Sequence, residues 1–284
     1  MELTSHSVPT NHEADINDAQ LDFYGRRLAT CAADGKVKVF DVAGAELSHF
    51  AAHTGPAYSV SWSHPSYGLL LATGGNDHRA AIWKESSANQ WSLVYEYTLH
   101  GAPVTAVAWA PWELGLVLLV GSQDGCVSVL TRVADDKWEQ LTFFAHTGGV
   151  TAAAWAPAVQ AASPDLRRSF ASVGADSTLK VWRFRDGEYA AEPVRLAGTT
   201  LTSVAWSPAG PDRLAIGSAQ GAVIVLEATE DGWARQVAWR HKEAVLGVSW
   251  NLAGRLLAAS LEDGETKVLQ QEGSDWVEAA AVGP

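Results

Sequence analysis

The stretch from His53 to Trp83 reads HTGPAYSVSWSHPSYGLLLATGGNDHRAAIW. After the histidine, small and apolar residues alternate up to Trp62. A second apolar run then ends at the turn Asn76-Asp77, and a third run closes on Trp83. Short alternating or apolar runs bounded by Gly, Pro, Asn and Asp are typical of β-strands joined by tight turns. This segment therefore predicts at least three consecutive short strands.

The same pattern recurs along the chain. The tryptophans that close the first run of successive copies are 47, 46, 51 and 44 residues apart. A histidine stands nine residues before four of these tryptophans. Residues 12–40 supply one more copy, and a further strand follows each copy. Four short strands per ~40 to 45 residues is typical of a β-propeller blade. We therefore predict an all-β, six-bladed propeller in one domain, residues 1–284, with a first segment and blades at 1–11, 12–52, 53–99, 100–145, 146–197, 198–240 and 241–284.

Composition narrows the class of protein. Of 284 residues, 47% are hydrophobic and 18% are charged, which excludes an intrinsically disordered chain. The formal net charge of −12 argues against a nucleic-acid partner, because phosphate binding needs clustered Lys and Arg. The longest apolar run, Leu114 to Val120, is too short to span a bilayer, and the first residues do not resemble a signal peptide. Two cysteines in separate predicted strands favour a reducing compartment.

Two sets of polar residues have the composition of a catalytic centre: His53, Thr73, Asp77 and Trp83, and His146, Ser172, Asp176 and Trp182. Because the pattern recurs once per blade, a structural hydrogen-bond network explains it better than catalysis. The other copies lack members of the set. Phe40 replaces the tryptophan of blade one, and the replacements in the remaining copies are Val120 and Leu130 in blade three, Gly198 and Gln220 in blade five, and Ala259 and Leu269 in blade six. Nucleotide-binding, nucleophile-elbow and Cys-x-x-Cys motifs do not occur. We predict no catalytic residue, no cofactor and no metal.

The segment Leu3 to Val8 precedes His12 just as an outer strand precedes the other histidines. It is either a frayed tail or the outer strand of a seventh blade whose other strands come from another polypeptide. In the second case a partner binds at a seam between the first and last blades. The residues predicted to form that seam are Leu3, Ser5, Ser7, Val8, Ile16, Ala19, Leu21, Val248, Trp250 and Leu257.

Residues 12–31, the run Ser63-His64-Pro65-Ser66-Tyr67-Gly68 and the run Trp155-Ala156-Pro157-Ala158-Val159 together resemble the Sec-thirteen type of WD-repeat protein. The resemblance implies an open six-bladed propeller into which a large α-helical solenoid protein inserts a blade. It also implies a scaffold role without enzymatic activity in the COPII coat of ER-to-Golgi vesicles, in the Y-complex of the nuclear pore, or in both. The expected locations are the cytoplasmic side of the endoplasmic reticulum and the nuclear envelope.

Several alternatives stay open on the sequence alone. The incomplete network of blade five and the missing tryptophan at Leu269 also suit the sister open propeller of the nuclear pore. A closed propeller that binds peptides as an adaptor is a second class of function. An enzyme is the third, although no constellation of residues in this sequence supports it.

Overall fold

The computed structural model describes residues 7–134, 137–158, 168–196, 198–210, 213–230 and 232–279. Within these ranges the regular structure consists of 24 β-strands and two 3-10 helices, Pro65–Tyr67 and Trp112–Leu114. The strands form six antiparallel four-stranded sheets, each made of four strands consecutive in sequence. The expectation of an all-β chain with six blades is therefore confirmed, and we number the sheets as blades one to six.

One compact unit holds the first three blades, within residues 7–145. Blade one contains β1 to β4, at Ile16–Leu21, Arg27–Ala32, Lys36–Asp41 and Glu46–Ala51. Blade two contains β5 to β8, at Ala57–Trp62, Leu70–Gly75, Ala80–Ser87 and Gln90–Tyr97. Blade three contains β9 to β12, at Val104–Trp109, Val117–Ser122, Cys126–Ala134 and Lys137–Phe144.

The other compact unit holds the last three blades, from His146 onward. Blade four contains β13 to β16, at Val150–Trp155, Ser169–Gly174, Thr178–Arg185 and Glu188–Arg195. Blade five contains β17 to β20, at Leu201–Trp206, Arg213–Ser218, Ala222–Thr229 and Gly232–Arg240. Blade six contains β21 to β24, at Val245–Trp250, Leu256–Leu261, Thr266–Glu272 and Asp275–Glu278. Most of the long loop predicted between the first two strands of blade four lies outside the described residues.

Burial explains the composition of each strand position. The second strands of blades two, three and four are buried at every residue, since both faces of these strands are covered. Such strands need continuous apolar or small residues rather than alternation. Apolar clusters join blade one to two, two to three, four to five, and five to six. The core of each unit thus lies between its sheets.

Neighbouring inner strands are also joined by polar contacts. Asp18 of β1 accepts hydrogen bonds from the backbone N–H of Val60 at 3.0 Å and from the Ser59 hydroxyl at 3.2 Å. Gln20 Oε1 accepts from the Trp62 backbone N–H at 2.6 Å, and the Trp62 indole donates to the Gln20 carbonyl at 3.0 Å. Small polar residues in the inner strands therefore satisfy backbone groups that a two-sheet interface would otherwise leave unpaired.

Among the residues that the structure describes, no helix is long and apolar enough to cross a bilayer. Those residues also contain no group of three or more His, Cys, Asp and Glu side chains that could hold a metal ion.

Candidate functional site

Blade two brings together the four residues singled out in its sequence. His53 Nδ1 lies 2.7 Å from Asp77 Oδ1, and His53 Nε2 lies 2.9 Å from Thr73 Oγ1. The Trp83 indole donates to the same hydroxyl at 3.0 Å. Asp77 also accepts from the Thr54 backbone N–H at 3.1 Å, which ties the loop that enters the blade to the turn between β6 and β7.

Blade four repeats this arrangement. His146 Nδ1 lies 3.0 Å from Asp176 Oδ1, and His146 Nε2 lies 2.8 Å from Ser172 Oγ. The Trp182 indole donates to Ser172 Oγ at 2.8 Å. The Asp176 carboxylate can only accept, so the proton of the neutral imidazole lies on Nδ1 and is donated to it. Nε2 therefore accepts from the Ser172 hydroxyl, which itself accepts from the indole.

The order of proton donors and acceptors is the same as in a Ser-His-Asp catalytic triad, but here the hydroxyl is buried away from any substrate. The side chains of Thr73 and Ser172 are 0% exposed, as is the His146 ring. A nucleophile must reach the atom that it attacks, and these hydroxyls are already engaged by an indole. The geometry therefore favours buried clamps that hold each blade's turn against its entry loop.

Electrostatics agree with a neutral imidazole beside a carboxylate. Burial lowers the pKa of His53 and of His146, and the neighbouring aspartates offset this only in part. Burial by itself would raise the pKa of Asp176, but hydrogen bonds from Thr178 and His146 outweigh it and lower the pKa to about 2. The pKa of Asp77 is lowered in the same way, with burial opposed by the Thr54 N–H and by His53.

Two further blades contain a partial network. In blade one His12 lies 3.0 Å from Asp34 and 2.8 Å from Thr30, with Phe40 in the place of the tryptophan. In blade three the sequence has Val120 and Leu130 at the hydroxyl and tryptophan positions, and His100 Nδ1 lies 2.9 Å from Asp124. Ser128 from the next strand supplies the hydroxyl instead, 3.1 Å from His100 Nε2.

Blade three replaces the missing indole with a cluster of hydroxyls. Tyr97 Oη lies 2.9 Å from Ser128 Oγ and 3.0 Å from Thr142 Oγ1, and the last two oxygens are 2.8 Å apart. In the sequence, Tyr97 stands in the strand before His100. A comparison of positions within one blade does not pair it with Ser128 and Thr142, because these lie in the next blade. In blade three the hydroxyls of Tyr97, Ser128 and Thr142 thus take the place of a single tryptophan indole.

Blades five and six differ from the rest. In blade five Thr199 donates to the Gln220 amide oxygen, where the other blades pair a histidine with an aspartate. In blade six His241 accepts at Nδ1 from the Glu243 backbone N–H and stacks on Trp239, with ring centroids 5.2 Å apart. Asp263 accepts from the Glu265 N–H instead. The network thus weakens in the last two blades, as their sequences predict.

Removal of a network carboxylate is expected to destabilise the fold. We expect Asp77→Ala and Asp176→Ala each to lower the free energy of unfolding by roughly 1 to 3 kcal/mol, because each removes the carboxylate that accepts from a buried histidine N–H. Urea denaturation followed by tryptophan fluorescence measures the change. The matched control is Asp263→Ala, which removes an exposed carboxylate not bound to histidine. Equal effects of all three substitutions would contradict the network.

The same groups predict the pH dependence of stability. His53, His146 and Asp176 all have folded pKa values below their ordinary values, so each binds its proton more weakly in the folded chain than in the unfolded one. Stability should therefore fall as pH drops below roughly 6.5, and again between roughly pH 4 and 2 by about 2 kcal/mol through Asp176. Denaturation midpoints across this range test the prediction. In Asp176→Asn the second step should be smaller, and an unchanged step would refute the assignment.

The first described residues lie against blade one. Lys38, which is buried, donates from Nζ to the carbonyls of Thr10 at 3.0 Å and Asn11 at 2.8 Å. Val8 lies beside Gly44 in the turn between β3 and β4. Ser7 is exposed, and residues 7–12 belong to none of the six sheets. Of the predicted seam residues, Leu3 and Ser5 lie outside the described part of the chain.

The inner strand of blade one is more exposed than that of blade two. Ile16 is 45% and Leu21 is 53% exposed, and Ala19 is exposed as well. In blade two the corresponding strand, β5, is buried at five of its six residues, and Trp62 stands where β1 ends in Leu21. Blade one thus presents exposed apolar side chains on a strand that lacks the covering seen on β5.

The predicted seam residues of blade six are less accessible. Val248 is half-buried and packs with Trp250 against the cluster between blades five and six. The Trp250 indole donates to the Ala205 carbonyl at 3.2 Å. Leu257 is 0% exposed, so the structure corrects its assignment to a partner surface. It belongs to the cluster between blades five and six together with Ala259 and Leu261, whereas Ser260 on the other face of β22 is exposed.

Comparison with known proteins places the chain in a family. The family described as WD domain, G-beta repeat, matches residues 4–41, 44–84 and 138–183. The chain is 41% identical over 284 residues to protein transport protein SEC13 of Scheffersomyces stipitis, which covers 92% of this chain and 93% of that protein. This chain belongs to the SEC13 family. Protein SEC13 homolog of Drosophila melanogaster is 34% identical and covers 89% of this chain and 76% of that protein.

Membership in the SEC13 family confirms the resemblance drawn from residues 12–31 and the other two runs. It also favours the SEC13 type over the sister propeller that the sequence left open. A chain in the crystal structure of the mitotic checkpoint complex matches with a TM-score of 0.76 at 21% identity, covering 92% of this chain and 76% of that one. At this identity the likeness concerns the fold alone.

Proposed function

We propose that this chain is a non-enzymatic scaffold subunit in protein transport that accepts a blade from a large α-helical solenoid partner. The relatives named protein transport protein SEC13 support the transport role. By the family resemblance, the assemblies are the COPII coat and the nuclear pore Y-complex, at the cytoplasmic side of the endoplasmic reticulum and at the nuclear envelope. The observation that carries the partner hypothesis is the exposed inner strand of blade one together with the segment that precedes it.

The phase of the WD repeats supports this hypothesis. The match at 44–84 begins just before the outer strand β4 and ends in β7, and the match at 138–183 begins in β12 and ends in β15. Each of these repeats thus starts with the outer strand of one blade and ends in the third strand of the next. The match at 4–41 also ends in a third strand, β3, and begins well ahead of β1.

The contacts of Lys38 agree with these positions of the repeat boundaries. They hold Thr10 and Asn11 against blade one, immediately before the network histidine of that blade. Residues 7–11 pair with no strand among the described residues, so apart from the Thr10 and Asn11 carbonyls, which Lys38 binds, this segment is available to a strand from another chain. Strand addition of this kind derives affinity from main-chain hydrogen bonds and specificity from side-chain contacts.

The exposed face of β1 supplies the side-chain contacts. The Trp62 and Trp109 indoles donate to carbonyls of the preceding inner strand, at 3.0 Å and 3.1 Å. Leu21 of β1 has no indole to offer, but it and Ile16, at the two ends of the strand, both present exposed apolar side chains. We infer that the inserted blade covers this surface, as blade one covers β5. Of the residues predicted for the seam at blade six, Val248 and Trp250 are half-buried, and the neighbouring Leu246 is exposed.

A peptide-binding adaptor is the second candidate function. It would use a complete propeller that needs no added blade and would be stable without a partner. The exposed strand β1 and the unpaired residues 7–11 favour the scaffold. Buried network hydroxyls, 0% exposed at Thr73 and Ser172, favour both of these functions over an enzyme.

Thermal stability distinguishes the scaffold from the adaptor. A partner that binds only the folded chain stabilises it by mass action, by about 2.7 kcal/mol at one hundred times the dissociation constant. We therefore expect the melting temperature of the chain to rise on addition of its co-purifying solenoid partner. Hydrogen exchange should show new protection in β1 and residues 7–11. A saturating partner that changes neither quantity would contradict the proposal.

A further inference from the structure

Three exposed aromatic side chains and one half-buried histidine contact one another on the unit that holds blades one to three. They lie on the β1–β2, β5–β6 and β9–β10 connections, and we call Tyr24, Phe23, His64 and Trp112 the aromatic row. Phe23 contacts Tyr24 edge-on at 5.2 Å and His64 at 4.5 Å between ring centroids. His64 stacks on Trp112 at 5.5 Å. Rings from three blades thus meet in one line.

The row is exposed although its rings contact one another. Phe23 and Tyr24 are each 63% exposed, and Trp112 is 51% exposed. Scattered surface aromatics need no explanation, but a contiguous apolar patch on a soluble chain marks a binding surface. None of these residues belongs to β1 or to residues 7–11, although Phe23 follows Leu21, the last residue of β1, by two positions.

Hydrogen bonds hold the row in place. Tyr67 Oη donates to the Trp112 carbonyl at 2.8 Å, which joins the connection of blade two to that of blade three. The 3-10 helices Pro65–Tyr67 and Trp112–Leu114 end on glycine N–H groups that donate back into each turn. The Arg26 guanidinium lies over the Tyr24 ring, 5.6 Å from its centroid. A surface ordered in advance loses little entropy on binding.

The row also carries hydrogen-bond donors. His64 Nδ1 accepts from the Ser66 backbone N–H at 3.2 Å, so the proton of the neutral ring lies on Nε2. No described residue accepts from His64 Nε2 or from the Trp112 indole N–H. The N–H donors of His64 and Trp112 lie next to the exposed ring of Phe23, and a polyproline II segment binds to such a combination of rings and donors. Its prolines pack on rings, and its carbonyls have no partner within the segment.

The dimensions and charge of the row fit such a segment. The two centroid distances from His64 limit the reach from Phe23 to Trp112 to about one turn of polyproline II helix, which rises about 9 Å. Glu113 follows Trp112 and is exposed, and the chain carries a net charge of −12. A basic residue next to the prolines would therefore be favoured at the Trp112 end.

We propose that the aromatic row binds a proline-rich segment with a flanking basic residue. Phe23 and Trp112 hold prolines on their faces, His64 Nε2 donates to a carbonyl between them, and Glu113 pairs with the basic side chain. Because the row spans three connections of one unit, binding requires the folded chain. The proposal goes beyond the scaffold function and does not depend on blade insertion.

Fluorescence polarisation with two labelled synthetic peptides tests it. The first peptide contains eight consecutive prolines followed by two arginines, and the second has alanine at every proline position and the same charge. We expect the proline peptide to bind at least tenfold more tightly than the alanine peptide. Trp112→Ala and Phe23→Ala should each weaken its binding at least tenfold, since central aromatic residues dominate such interfaces. Phe144→Ala, at another exposed ring of the same unit, should leave binding unchanged.

Two finer variants test the assigned roles. His64→Phe keeps a ring but removes the N–H donor, so it should weaken binding while the melting temperature stays within a few degrees of the parent. Glu113→Lys should weaken binding of the arginine-containing peptide and leave binding of a proline peptide without arginine unchanged. Circular dichroism melts of every variant distinguish loss of binding from loss of folding.

The outcomes separate the proposal from its rivals. Equal binding of the proline and alanine peptides would show that charge alone acts, and would overturn the proposal. Co-sedimentation of the chain with phosphatidylcholine vesicles, lost in Trp112→Ala, without binding of the proline peptide would identify a lipid surface instead. Absence of binding by the parent chain to the proline peptide would overturn it as well. The solenoid partner would still bind in all three cases if the scaffold function is correct.

Discussion

Charges placed on β1 are expected to abolish binding of the solenoid partner. We expect the double substitution Ile16→Lys and Leu21→Lys to weaken the complex about a hundredfold or more. Both side chains are about half exposed in the free chain, so a partner would have to bury two unpaired ammonium groups. Co-sedimentation and titration calorimetry with the co-purified partner measure the loss. The free chain should keep its fold, because these positions already tolerate water.

The control uses apolar residues of similar exposure on an outer strand. Leu93 and Val94 of β8 are 43% and 48% exposed, and Leu93→Lys with Val94→Lys should leave partner affinity unchanged. Val248 is a poorer test position, since it is half-buried against blade five and a charge there would also destabilise blade six. If the β1 double variant binds the partner as well as the control does, the partner does not cover β1 and the scaffold hypothesis loses its main support.

Alanine at Gly35 is expected to cost at least about 3 kcal/mol of folding free energy. Gly35 forms the turn between β2 and β3 with a φ of +76°, and an added Cβ would lie 2.6 Å from the His53 carbonyl oxygen and 2.7 Å from that of Gly55. Both neighbours are backbone atoms, which cannot move independently. The Gly35 carbonyl also accepts from the Ala52 and His53 N–H groups at 3.0 Å and 3.1 Å. The turn of blade one is thus in direct contact with the loop that enters blade two.

Gly25→Ala is the matched control for this steric effect. Gly25 has a φ of +63°, but nothing lies within 4 Å of the position that its Cβ would take. Its replacement should therefore cost only the conformational penalty of a left-handed residue, about 1 kcal/mol. Urea denaturation of both variants measures the difference. Equal costs would mean that the contact between the turn and the entry loop of blade two relaxes without loss.

The histidine–aspartate networks and the central turns both bind the loops that enter the blades. Asp77 and Asp176 accept from the histidine and from the first N–H after it, while Gly35 and Gly125 carbonyls accept from residues just before the next blade. Each blade's central turn is therefore held to an entry loop by several independent hydrogen bonds. Such redundancy explains how blades five and six keep their four strands with a reduced network.

Much of this structure could be predicted from local pattern. The alternation, the turn residues and the periodic tryptophans and histidines determine six four-stranded sheets, because strand pairing within a blade joins segments next to one another in sequence. For the same reason the groupings His53 with Asp77 and His146 with Asp176 were predictable, since each pair lies within one repeat. Residues 12–31 and the two shorter runs further identified the family.

Only the tertiary structure decided what happens between repeats. The assignment of Ser128, Tyr97 and Thr142 to the network of blade three, the burial of Leu257 and the exposure of Ile16 depend on which strands cover a given face. The contacts of Asp18 with Val60 and of Phe23 with His64 join residues about one repeat apart. Their distances depend on how far neighbouring sheets twist and pack, and no periodicity along the chain encodes that geometry.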